Sequence, residues 1–470
     1  MKRVILTTVI LLSVFANGTW AKWEQRSTEA VALLTYLEQN VGVKMLSGAM
    51  ANVNYNTNEA DWVYKHTGKY PALNCFDFIH APFSSTGGWI DYGNPATALQ
   101  WSDNGGIVAA MWHWNMKANN GTDWSFNCGT DATQTSFSPS AIFNPSSQGY
   151  QKMISDIDQV AEWMKPLAQQ HIPILWRPLH EAQGNWSEQY PNVSWAWFWW
   201  GADGPAAFVQ LWKVMYDRMV NHHGLTNLIW VFTTGDSKQW YPGDEYVDIV
   251  AYDKYNVEYN RGDGKSSGPN LLAIPAKFDS LYNLTNGKKM VAMAENDTVP
   301  ALDNLLVEDA GWLYFCPWYD GGEDGGTAFL GTNYQDHDEL KKIYQSEYCI
   351  TLDELPKDLY TSNGSTPSPV TTTSAATTTT SSATTVQTTT TTAPKGNENV
   401  LYGDANCDKT VDLSDAVLIM QSLSNPSKYK LTEEGKANAD CAGSGDGVTN
   451  TDALAIQKFM LQLIDKLPEL

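Results

Sequence analysis

The chain has 470 residues, too many for one ordinary core, so more than one domain is expected. Its 52 acidic residues against 30 basic ones leave a formal charge of −22. That balance argues against nucleic acid, whose phosphates demand a basic surface, and it suits a soluble protein that acts on a neutral polymer and holds calcium.

In chain order, Met1-Lys2-Arg3, the apolar run VILTTVILLSVF and the small residues around Ala16–Ala21 read as a secretory signal over 1–21. The run is too short to span a membrane, and no later stretch is a candidate anchor. Eight apolar runs follow as predicted strands: 44–48, 71–78, 106–114, 172–180, 227–233, 247–253, 289–295 and 312–318. Amphipathic stretches at 149–170 and 205–224 separate some of them and are predicted helices. Strands alternating with helices call for a parallel sheet. Their number and the length of the region favour a (β/α)8 barrel over 22–358, with a doubly wound open sheet as the alternative.

In such a barrel the C-terminal strand tips face the active site. Here those tips read WHW, RPLHE, AYD, AEND and CPWYD, far more polar and aromatic than the runs that feed them. Two carboxylates stand out by position. Glu181 ends the fourth run and Glu295 the seventh, so a barrel sets them across its mouth. Glycoside hydrolysis needs such a pair, one protonated to release the leaving oxygen and one ionised. A glutamate at a strand end is more often simply solvated; it is the pairing that carries the reading.

RPLHE (177–181), Trp186, FWWG (198–201), HHGLTNLIWVF (222–232), VDIVAYDKY (247–255), WHW (112–114), AE (294–295) and Trp318 together resemble glycoside hydrolase family 26. The resemblance spans most of 40–350. It implies a retaining enzyme with Glu181 as acid/base and Glu295 as nucleophile. It implies that Arg177 holds charge near the nucleophile, that His180 lies near the reacting sugar's 2-hydroxyl, and that Tyr252 donates a hydrogen bond to Glu295. His113, Trp186 and Trp318 would line sugar subsites. Where the family often carries an arginine after the last tryptophan, this chain has Tyr319-Asp320. The implied substrate is β-mannan, with β-1,3-1,4-glucan or β-1,3-xylan as alternatives; a non-catalytic sugar-binding module is a third reading. No metal is expected in the chemistry.

Residues 359–399 form a Thr/Ser-rich stretch that cannot bury a core and reads as a tether. Beyond it, in 400–470, DANCDKTVDLSD places oxygen donors at loop positions 1, 3, 5, 9 and 12: Asp404, Asn406, Asp408, Asp412 and Asp415. Such spacing wraps a calcium ion. A second, less regular copy offers Asp440, Asp446 and Asp452, and each loop leads into an apolar helix pattern. The duplicated motif resembles a type I-like dockerin, a small all-α module. That resemblance implies a cohesin partner on a scaffolding protein and a cellulosome-associated, extracellular enzyme. Six cysteines show no zinc spacing, and Cys407 with Cys441 is a candidate staple across the two loops.

Overall fold

The computed structural model describes residues 25–185, 196–255, 261, 263–308, 310–319, 330–360, 400–411, 413–424, 429–442, 447–460 and 464–468. The chain divides into two compact units, Met1–Thr366 and Pro367–Leu470.

The first unit is an α/β barrel. Seven parallel strands lie side by side in chain order: β1 (Gly48–Met50), β2 (Leu73–Asp77), β3 (Ile107–Met111), β4 (Ile174–Arg177), β5 (Leu228–Phe232), β6 (Ile249–Lys254) and β7 (Met290–Asn296). Residues 312–318 take the eighth place and join the two ends of this sheet. Tyr314 bridges in parallel to Leu46, and Pro317 to Asn296. The Leu46 N–H donates to the Leu313 carbonyl at 2.9 Å, and the Leu313 N–H donates to Val291 at 2.8 Å. The predicted eighth strand is thus tied to both neighbours by backbone hydrogen bonds, from Leu313 through Trp318, although only Tyr314 and Pro317 form bridges. Pro317 supplies no N–H with which to extend a ladder.

Helices cover the outside of the sheet. The longest, α1 (Gln148–Gln169), starts where the Ser147 side chain accepts the Tyr150 N–H, and it buries Met153, Ile157, Val160, Ala161, Met164 and Leu167 as one stripe. The next, α2 (Pro205–Tyr216), runs into a wider turn over Asp217–His222. Strand alternation then sorts the core into two sets. Leu73, Cys75, Ile107, Ala109, Leu175, Ile229, Val231 and Ala251 belong to one cluster, inside the barrel. Phe76, Val108, Trp176, Trp230, Phe232 and Val250 belong to the other, between strands and helices. Aromatic bulk fills that outer layer; Trp212 of α2, for example, meets Trp230 of β5 edge to face at 5.6 Å. Among the described residues no helix is long and apolar enough to cross a membrane.

In the second unit, helices Leu413–Ser424 and Asn450–Met460 pack on each other, with Glu433–Ala439 between them in the chain. Ala405, Ala416, Ile419, Ala439, Cys441, Ala453 and Ile456 form its small core. The candidate staple does not form, because all six cysteines are free. Cys407 Sγ lies 3.5 Å from the Thr432 hydroxyl, while buried Cys441 turns its thiol to the Asp452 carbonyl at 3.4 Å.

Candidate active site

The strand tips enclose a cavity of about 600 Å³ lined by Glu181, Glu295, His113, His180, Tyr252 and Trp318 among others. The two glutamates reach it in different ways. β4 ends at Arg177, and the chain then turns sharply, with Leu179 at φ 51° and Glu181 at φ 52°. Positive φ is costly for a residue with a Cβ, so the surroundings must hold this turn. The Glu181 N–H donates to the Thr233 carbonyl at the tip of β5, at 2.6 Å. Glu295 instead lies within β7. The β6–β7 register shifts between Met293 and Glu295, so Glu295, not Ala294, stands opposite Asp253. This bulge turns Glu295 toward the barrel interior.

Beneath the glutamates lies buried Arg177. One of its nitrogens donates to both Asp253 oxygens, at 3.0 and 2.9 Å; the other donates to Glu295. Burial works against the Arg177 charge, but Asp253 and Glu295 outweigh it and hold the guanidinium firmly protonated. The second donor to the Glu295 carboxylate is the Tyr255 hydroxyl. Burial, and then the Glu295 charge, keep that phenol protonated far above neutral pH. Glu295 therefore sits among donors suited to an anion. Glu181 has the opposite setting. Burial, reinforced by Glu295 and opposed by Arg177, pushes its carboxyl up to about 8.

Two histidines complete the floor. Asp77, at the tip of β2, accepts from the His113 backbone N–H at 3.0 Å and meets its Nδ1 at 2.6 Å. The His113 Nε2 lies 3.2 Å from the His180 Nε2. Burial, then His113 and Arg177, hold His180 well below the usual histidine range, so it is neutral. Trp318 stands edge-on to His113 at 5.6 Å.

The structure thus gathers Glu181, Glu295, Arg177, His180, His113 and Trp318 into one place. Tyr252 lines the cavity too, but strand parity assigns the bond to Glu295 elsewhere. Ala251, Asp253 and Tyr255 face inward, whereas the Tyr252 ring packs toward the outer cluster under Lys277 Nζ, 5.1 Å from its centroid. The hydroxyl that reaches Glu295 is Tyr255's. Trp186 lies outside the described residues.

Sequence reasoning also passed over Asp77, Asp253 and Trp197. The first two are inward strand-tip carboxylates, found by counting in twos from Cys75 and Ala251. Trp197 lines the cavity at 41% exposure, while Trp199 and Trp200 of the same aromatic run are fully buried. Their indoles donate to the Trp114 and His180 carbonyls, at 2.6 and 2.7 Å, and so brace the cleft wall.

In the second unit the first loop is knitted by its own carboxylates. Asp404 accepts the Asp408 and Lys409 N–H groups, each at 3.0 Å, and Asp415 accepts that of Asn406 at 3.0 Å. The second loop repeats the device: Asp452 accepts the Cys441 and Ala442 N–H groups at 2.6 and 2.7 Å. Among the described residues no group of three or more His, Cys, Asp or Glu side chains is gathered as for a metal ion. Asp412 and Asp446 lie outside the described residues.

Fold and site together define an α/β barrel with a two-carboxylate cleft at its strand tips, the arrangement glycoside hydrolysis uses. The chain belongs to glycosyl hydrolase family 26, whose family model matches residues 23–354. A mannan endo-1,4-beta-mannosidase of Thermothelomyces thermophilus is 36% identical over 334 residues, covering 69% of this chain and 61% of the relative. Mannan endo-1,4-beta-mannosidase A of Piromyces sp is 32% identical over 335 residues, covering 70% of this chain and 49% of that relative. The chain therefore spans under two thirds of either relative's length. Among solved structures, a ruminal GH26 endo-beta-1,4-mannanase matches with a TM-score of 0.61 at 36% identity, covering 71% of this chain and 69% of the other.

Proposed function

We propose that the first unit is an exported endo-β-1,4-mannanase that hydrolyses mannan, galactomannan or glucomannan with retention of configuration. The observation that carries this reading is the contrast within one cavity: a carboxyl pushed up to about 8 at Glu181, and a carboxylate gripped by Arg177 and Tyr255 at Glu295. The first suits a general acid at neutral pH, and the second an anionic nucleophile. Glu295 attacks the anomeric carbon as Glu181 gives its proton to the departing glycosidic oxygen. Glu181, now ionised, takes a proton from water, whose oxygen displaces Glu295 and frees the sugar. The mannanases named above support the choice of substrate.

The test is a panel of galactomannan, glucomannan, barley β-glucan and xylans, with new reducing ends counted and the first-formed anomer followed by NMR. Mannan cleavage giving the β-anomer first is the expected result. Cleavage of mixed-linkage glucan or β-1,3-xylan but not mannan would replace the substrate. The α-anomer first would replace the mechanism, and no cleavage at all would leave a sugar-binding module.

For 400–470, read as a domain separate from a barrel over 22–358 and a tether over 359–399, we propose a dockerin that binds calcium and docks on a cohesin module of a scaffolding protein. Export would follow from the signal at 1–21, and cellulosome attachment from the dockerin. The donor types fit calcium: carboxylates recur along the sequence of both loops, and among the described residues one oxygen of Asp440 is buried without a partner. Asp404, Asn406, Asp408, Asp412 and Asp415 would serve the first ion, and Asp440, Asp446 and Asp452 the second. Chelation should lower the melting temperature of this unit and abolish cohesin capture, while galactomannan hydrolysis persists. Capture that survives chelation would refute the calcium role.

A further inference from the structure

Lys254 ends β6 and is fully buried. A buried ammonium is costly unless its donors are satisfied. Here Nζ donates to two backbone carbonyls from different loops, Asn270 at 2.5 Å and Thr298 at 3.1 Å. The Asn270 loop precedes the helix Pro275–Leu284, and Thr298 lies three residues beyond Glu295. The two loops are also tied to each other, since the Asn270 N–H donates to the Thr298 hydroxyl at 3.0 Å. That hydroxyl in turn donates to the Tyr334 carbonyl at 2.5 Å. The Lys254 backbone joins the same knot, its carbonyl accepting the Asp297 N–H at 3.0 Å. Burial brings the ammonium down to about 8, while Asp297 and Glu308 favour its charge.

The neighbours of this knot are the groups that hold the proposed nucleophile. Asp253, just before Lys254, grips Arg177; Tyr255, just after it, donates to Glu295. We infer that Lys254 is a positioning residue: by fastening the Asn270 and Thr298 carbonyls to the tip of β6, it sets the angle at which Tyr255 meets Glu295. It touches no substrate. The inference rests on the reading of Glu295 as nucleophile, and it adds a residue that strand parity alone would count as outer packing.

The experiment compares the full chain with K254M, Y255F and the double variant on galactomannan. K254M keeps the length and apolar stem but loses the donor. It should lower kcat about tenfold with KM within about twofold, as a misplaced catalytic contact does. In the Y255F background K254M should cost almost nothing further, because both variants remove the same contact. A purely structural lysine would lower the melting temperature and leave the two kcat losses to multiply. Multiplying losses, or a K254M kcat within about twofold of the parent, would overturn the inference. Should K254M not accumulate as folded protein, K254Q, which retains an amide donor, enters the same cycle: non-multiplying losses support the inference and multiplying losses overturn it. An inactive parent chain would instead sink the proposed function.

Discussion

The tips of β4 and β7 carry the same side chain and treat it in opposite ways. Glu181 lies four residues past its strand, on a turn with positive φ, in a site that disfavours its charge. Glu295 lies inside its strand and is held by a guanidinium and a phenol. Two identical carboxyls are thus set apart by placement alone, one in a site that suits a proton donor and the other among donors that suit an anion, because burial penalises an ion and close donors favour it.

The contrast breaks most completely when a partner is deleted. E295A should lose about 10⁴-fold or more in kcat on every substrate. E181A should lose about 10³-fold on galactomannan yet form the glycosyl-enzyme readily from an aryl β-mannoside whose leaving group needs no proton. Equal losses for both variants on the activated substrate would erase the distinction. R177M strips the countercharge from two buried carboxylates. Denaturant melts should show a stability loss of about 3–5 kcal/mol, alongside a large fall in turnover. Y255F should cost roughly 10- to 100-fold in kcat, the worth of one hydrogen bond to a charged group, and Y252F distinctly less.

The smallest effect is on pH dependence. Glu181 stays protonated in the fold up to about 8 but ionises near the ordinary carboxylate value when unfolded. Between those values the folded state binds the extra proton. Its contribution to stability is therefore complete below the unfolded value and lost as pH rises through about 8. E181Q should flatten that slope in melting curves taken across the window, and the parent's activity should decline as pH passes through about 8.

Much of this was legible in the sequence. Apolar runs ending in RPLHE and in AE announced both glutamates, since a buried parallel strand shows its polarity only at its ends. Asp253 and Tyr255 were harder to read. Along VDIVAYDKY every second residue faces inward, and only the small Ala251 marks which set that is. The two tyrosines are equally plausible until parity is fixed. Trp197 was hidden among like neighbours, because an aromatic run does not reveal which ring is left to solvent. The run 312–318 was harder to read because Pro317 interrupts an otherwise strand-like stretch.

The register shift before Glu295 makes its orientation a matter of counting. Exchanging one side chain for another anywhere along β7 leaves the number of residues intact, and with it the direction of the carboxylate. Loss of the single codon for Ala294 would take out only the extra residue, leaving Glu295 directly after Met293 and still opposite Asp253. Drift by substitution can tune this cleft, and the spare residue gives the strand slack for a one-residue gap.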